Sequence, residues 1–147
     1  MDESEMVKVV NELFSSQRLA VLSTQSVEEP YGNLVAFAAS EDLKNLFFAT
    51  ARKTRKFANI MANPRVSLLM DNRLNRPSDF RDTVVVTALG RAEEPKESEK
   101  GKRLEFFLSR HPDLYAFATS PDCALIQVRV RKYIIVSQFQ EVAELLI

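Results

Sequence analysis

Apolar positions recur along the chain in two rhythms, one helical and one with the short runs and alternation of strands. Between Ser4 and Ser16 the spacing is helical, with Met6, Val9, Val10, Leu13 and Phe14 on one stripe. Ser4 can cap this helix, and Asp2, Glu3 and Glu5 suit its positive end. Residues 1–17 therefore read as an N-terminal helix, a lid or plug. From residue 19 the runs shorten. Leu19–Thr24, Leu34–Ala39, Leu46–Ala49, Val66–Met70 and Thr83–Glu93 are brief, β-branched or aromatic, and bounded by turn residues, so they predict strands. Pro30 and Gly32 punctuate the first turn and Ser40–Asn45 forms the second, which together suggest an antiparallel meander. Gly90 interrupts the longest run and predicts a bulge or a close backbone approach.

Helical spacing returns twice. Phe57, Ile60 and Met61 share one face of a helix that starts near Thr54 and stops at Asn63-Pro64. Pro95–Arg110 forms the other, with Leu104, Phe107 and Leu108 inward and His111-Pro112 as its end. His111 suits a helix C-terminal cap. Asp113–Thr119 predicts a short helical turn, and Ala124–Arg131 and Tyr133–Val136 a last pair of strands. The tail, 139–147, would leave Val142, Leu145, Leu146 and Ile147 exposed on a monomer, so it is expected to pack on something. The polar segment Asp71–Asp82 predicts a loop, from which Arg73, Arg76 and Arg81 could reach an anionic ligand across a subunit boundary. Together these elements predict one domain over 1–147 of mainly β (α+β) class: a six- to seven-stranded antiparallel barrel with flanking helices.

Composition narrows the function. The 20 basic and 20 acidic residues balance to a formal net charge of zero, which argues against a nucleic-acid binder. No apolar stretch approaches a membrane span, and the acidic N-terminus is unlike a signal peptide. Cys123, the single cysteine, allows no internal disulfide and fits a cytoplasmic location, where it reads as a small core residue. One histidine and one cysteine give no basis for a metal site.

The chemistry gathers between strand and helix. Thr50, Arg52, Lys53, Thr54, Arg55 and Lys56 place two hydroxyls and four cations within seven residues. Thr54 is placed to cap the helix, aiming its first N–H groups at the same space. Cations at a helix N-terminus oppose its dipole, and an anion bound there would reconcile the two.

Phe48-Ala-Thr50, then Thr54-Arg55-Lys56, then Asn63-Pro64-Arg-Val-Ser-Leu-Leu69 resembles the pyridoxamine 5'-phosphate oxidase-like family of FMN-binding split barrels. The resemblance implies that Thr50, Thr54, Arg55 and Lys56 hold the FMN phosphate and that Val35, Ala36 and Phe37 lie beside the isoalloxazine ring. Where many relatives carry a basic residue after that strand, this chain has Ala38-Ala39-Ser40, leaving Arg52 or Lys53 as substitutes. Thr83 stands near the position where some relatives carry a phosphate-contacting glutamine. The resemblance further implies a homodimer with FMN between subunits and an oxidoreductase acting on a small molecule. A non-catalytic module binding FMN, haem or a deazaflavin stays open. No general acid or base can be named. Pyridoxamine phosphate oxidation itself is disfavoured, because the tryptophan-containing C-terminal segment of the true oxidases is missing.

Overall fold

The computed structural model describes residues 1–138 and 140–147. Its frame is one antiparallel sheet. The strands are β1 (Leu19–Gln25), β2 (Pro30–Ala36), β3 (Ala38–Ala39), β4 (Asn45–Ala51), β5 (Arg65–Asp71), β6 (Val85–Glu93), β7 (Cys123–Ser137) and β8 (Glu141–Leu146). Seven follow the order β2-β1-β5-β6-β7-β4-β3, and β8 adds to β7. The helices are α1 (Glu3–Ser16), α2 (Arg55–Ala62), α3 (Asp79–Asp82), α4 (Glu97–Arg110) and α5 (Tyr115–Ala118).

The curl of the sheet follows from β7. Its first half pairs with β4 (Ala51↔Cys123 to Asn45↔Arg129), and its second half pairs on the same edge with β8. Its other edge carries β6. Two strands were expected over 124–136, but the chain runs straight through: Lys132 pairs with Leu146, and the inward side passes from Val130 to Tyr133 across a bulge. The break that the sequence suggests is a bulge, where the β6–β7 register shifts between Leu89 and Gly90. A Cβ on Gly90 would lie 2.3 Å from the Arg129 carbonyl oxygen. Glycine is required there for space.

Inside the curl lies the main core, which includes Leu22, Leu46, Phe48, Leu68, Val86, Ile126 and Tyr133, each fully buried. α1 closes one end through Phe14, whose ring stands edge-on to Phe37 (5.4 Å) and Tyr133 (5.7 Å). A second cluster forms on the other face of β4, where Phe47 packs with Phe107, Ala118 and Leu125 beneath α4 and α5. β4 is therefore apolar on both faces, which explains its unbroken Leu46-Phe-Phe run.

Several boundaries differ from expectation. Asp2 rather than Ser4 caps α1, in a capping box where the Glu5 N–H donates to Asp2 (2.8 Å) and the Asp2 N–H to Glu5 (3.3 Å). β2 starts at Pro30, inside the expected turn, because its first residue pairs at the hairpin mouth with Gln25. The expected strand 34–39 is divided at Phe37 into β2 and β3. Met61 is exposed; the inward positions of α2 are Asn59 and Ile60. The Asn59 amide donates to the buried Thr24 hydroxyl (3.0 Å). The tail pairs as β8 with its own β7, burying Leu145 but leaving Val142, Leu146 and Ile147 exposed; its first residue, 139, lies outside the described residues. Within Asp71–Asp82, α3 is held by the Asp79 carboxylate, which accepts from the N–H groups of Leu74, Asn75 and Arg76.

Candidate anion site at the start of α2

β4 ends where β7 begins, and the chain turns at once into α2. The Arg52 N–H donates to the Asp122 carbonyl (2.8 Å), fixing that turn against the β7 entry. Thr54 is the N-cap: its hydroxyl accepts from the Phe57 N–H (3.3 Å) and donates to the Ala51 carbonyl (2.9 Å). The Thr50 hydroxyl, on a fully buried residue, lies 3.0 Å from it. With Phe57 and Ala58 bonded back to Thr54, the N–H groups of Arg55 and Lys56 are the two first-turn donors without a helical acceptor.

The four cations of the segment divide. Arg52 faces α4, where both its terminal nitrogens engage the Glu94 carboxylate, the longer contact at 3.4 Å, and its guanidinium covers the Phe57 ring at 5.6 Å. Lys100 adds a contact to Glu94 at 3.4 Å. The Arg52 guanidinium holds the Glu94 carboxyl below its usual range. Arg52 is thus compensated. Arg55 lies over the Tyr31 ring of β2 at 5.2 Å. Lys56 is half-buried, burial lowers its ammonium pKa, and it forms no ion pair among the described residues. Lys53 is exposed. Cys123, expected in the core, is only half-buried beside this turn. Burial raises its thiol pKa, while Arg52 and Lys56 act the other way.

β2 flanks the cluster. β2 runs on through Phe37 into β3, which pairs with β4 (Ala38↔Phe47, Ala39↔Leu46), and so lies against β4. Val35 and Phe37 are buried and point inward, whereas Ala36 is half-buried on the other side. Both backbone groups of Phe37 are already engaged: its N–H donates to the Arg18 carbonyl (3.2 Å), and its carbonyl lies 2.7 Å from His111 Nε2. Asn33 shares the inward side of β2, and its Oδ1 is buried without a partner. Sequence reasoning missed Asn33. The signal was a polar residue at a position whose period-two neighbours, Val35 and Phe37, are core.

Thr83 is elsewhere. Thr50 pairs with Ala124 near the start of β7, whereas Val85, two residues after Thr83, pairs with Val136 near its end. Twelve residues of strand separate those levels, about 40 Å at roughly 3.3 Å per residue. One chain does not bring Thr83 to the cluster.

An unpaired half-buried ammonium and two free helix N–H groups form a donor set that suits a phosphate, while the Thr50 and Thr54 hydroxyls, which both donate to the Ala51 carbonyl (3.2 and 2.9 Å), fix the turn that presents them. Asn33, opposite Leu22 of β1, keeps a buried amide oxygen without a hydrogen-bond partner. Those residues fit a phosphorylated flavin.

Residues 6–137 match the family model described as Pyridoxamine 5'-phosphate oxidase, and the chain belongs to that family. No curated protein sequence matches it. Among solved structures it is similar to a heme binding protein from Mycobacterium smegmatis, with 16% identity and a TM-score of 0.84, covering 99% of this chain and 58% of that one. It thus spans little more than half of that protein. It is similar to a protein related to general stress protein 26 from Clostridium acetobutylicum (15% identity, TM-score 0.76, 100% and 97% covered). It is also similar to a FAD-binding protein from Mesorhizobium loti (22%, 0.66, 85% and 89%). These likenesses establish the split-barrel fold. Among the described residues no helix is long and apolar enough to cross a membrane.

Proposed function

We propose that this chain is an FMN-binding oxidoreductase of the split-barrel family, working in the cytoplasm on a small molecule. The observation that carries the reading is the junction of β4 and α2. There the hydroxyls of Thr50 and Thr54 meet at the cap of α2, the N–H groups of Arg55 and Lys56 have no helical acceptor, and the half-buried Lys56 ammonium has no ion pair among the described residues. In this reading Thr50, Thr54, Arg55 and Lys56 hold the phosphate. Ala36 lines the flavin with its side chain, while Val35 and Phe37 fix the strand behind it. Arg52 positions the turn through Glu94, and Lys53 adds long-range attraction for the anion.

Bound FMN would supply the redox chemistry. The chain binds and orients it, and the Arg55–Tyr31 stack covers one end of the site. A second copy completes the groove. Leu19 and Leu34, on the paired strands β1 and β2, stand at 53% and 63% exposure, apolar positions suited to self-association. In such a homodimer Thr83 and the arginines of 71–82 reach the partner's flavin rather than their own.

The second reading, a non-catalytic carrier or sensor of FMN, haem or a deazaflavin, draws support from the likeness to the Mycobacterium smegmatis heme binding protein. Purified protein mixed with excess FMN and desalted tests the first step. Retained flavin bands in the wild type and their loss in R55A/K56A support the site, and absence of flavin from the wild type refutes it. Steady-state oxidation of NADPH by the loaded protein separates enzyme from carrier.

A further inference from the structure

A second cationic feature lies away from the α2 junction. Arg65 on β5 pairs across the ladder with Arg91 on β6, and Arg91 pairs with Arg129 on β7. Three arginines thus stand side by side on adjacent strands, all exposed. Like charges directly opposite each other destabilise a sheet, and this row does so twice in succession. Only Arg129 has a carboxylate, Glu93 at 2.6 Å. Arg65, Arg91 and Arg131 form no ion pair among the described residues.

The row forms part of the lining of a groove of about 980 Å³, at the upper end of the range for small-molecule sites. Its other wall is the β1–β2 hairpin, residues 25–30. The bulge at Leu89/Gly90 supplies Arg131, and the cross-strand pair Ser23 and Ser67 adds two hydroxyls. Glu28 and Glu29 line the hairpin side, yet neither pairs with the row. The hairpin is fixed instead by Ser26, whose hydroxyl accepts from the Glu29 N–H (3.0 Å) and donates to its carbonyl (3.1 Å). In a chain of zero net charge, this is a local concentration of unpaired guanidinium groups.

We infer that this groove binds a polyphosphate chain, as found in a nucleoside di- or triphosphate or in inorganic polyphosphate. Strands about 4.8 Å apart spread three arginines over roughly 10 Å, which matches a short linear polyanion better than one phosphate. Guanidinium forks address successive phosphoryl groups in pairs, and the like-charge cost of the row is relieved on binding. The inference is independent of the flavin reading, since none of the residues assigned to FMN lines this groove.

Calorimetric titration of the full chain with inorganic tripolyphosphate at constant ionic strength, beside orthophosphate, tests it. Saturable binding of one tripolyphosphate per chain is expected, at least tenfold tighter than orthophosphate. R65Q/R91Q loses at least tenfold and R55A/K56A stays within twofold. The R65Q/R91Q protein, relieved of facing charges, unfolds at or above the wild-type temperature, and that measurement excludes misfolding as the cause of lost binding. A matching loss in R55A/K56A would move the polyanion to the α2 junction and overturn the groove. Absence of saturable binding would overturn it too, and a salt-dependent oligomer broken by R65Q/R91Q would then identify the row as a contact between copies.

Discussion

Gly90 and Gly101 differ from alanine by the same methyl group, and the structure assigns that group opposite effects. At Gly90 the added Cβ would meet the Arg129 carbonyl oxygen at 2.3 Å, Val128 Cγ1 at 2.9 Å and the Arg129 carbonyl carbon at 3.0 Å. Two of those atoms are backbone of β7, pinned by pairing on both edges of the strand. Relief requires β6 and β7 to part by most of an ångström, disturbing one or two ladder hydrogen bonds at about 1 kcal/mol each. Overpacking strain adds about 1–3 kcal/mol. Gly90→Ala should therefore cost about 2–5 kcal/mol, a large share of the roughly 5–15 kcal/mol that stabilises a domain. Gly101 sits inside α4 with nothing within 4 Å of its Cβ position. There the methyl only restricts the unfolded chain and favours the helix, so Gly101→Ala should stabilise by about 0.5–1 kcal/mol. Urea unfolding followed by circular dichroism measures both. A Gly90→Ala protein within 1 kcal/mol of wild type would refute the close-approach account of the bulge.

Thr54→Ala removes the α2 cap and should cost about 1 kcal/mol of stability by urea titration, together with weaker FMN retention. Tyr133→Phe deletes the buried hydroxyl that donates to the Leu43 carbonyl (2.8 Å) and should cost about 1–1.5 kcal/mol in the same assay. Burial holds Lys56 below the usual lysine range, so between its folded and unfolded values the unfolded chain binds more protons and stability rises with pH. A phosphate restores the charged form, so FMN affinity should fall as pH rises through the folded Lys56 value, and Lys56→Gln should flatten that dependence in a fluorescence titration.

The β4–α2–β5 segment was legible because three local rules agree there: an aromatic strand, a threonine cap and an Asn-Pro stop. Thr54 caps the helix as its position predicts. What escaped reading is long-range. The neutralisation of Arg52 by Glu94 spans 42 residues, and nothing local to either residue announces it. The continuous β7 was hidden because the bulge shifts the alternation and leaves Arg131-Lys132 resembling a turn. Phe37 looked like a candidate lining residue, yet its ring and both backbone groups serve α1, Arg18 and His111. Thr83 lay close to the family pattern in sequence, but register, which depends on three strands at once, sets it far from Thr50.

Parallel fluorescence titrations of FMN and riboflavin, which differ only by the phosphate, address the central claim directly. Two charge-assisted contacts at about 1.5–3 kcal/mol each predict that wild type binds FMN at least about 100-fold more tightly than riboflavin. In R55A/K56A that difference should shrink to a few-fold, with riboflavin affinity unchanged. Equal affinities for FMN and riboflavin in the wild type, or a preference that survives in the double variant, would contradict the assignment of the phosphate to the start of α2.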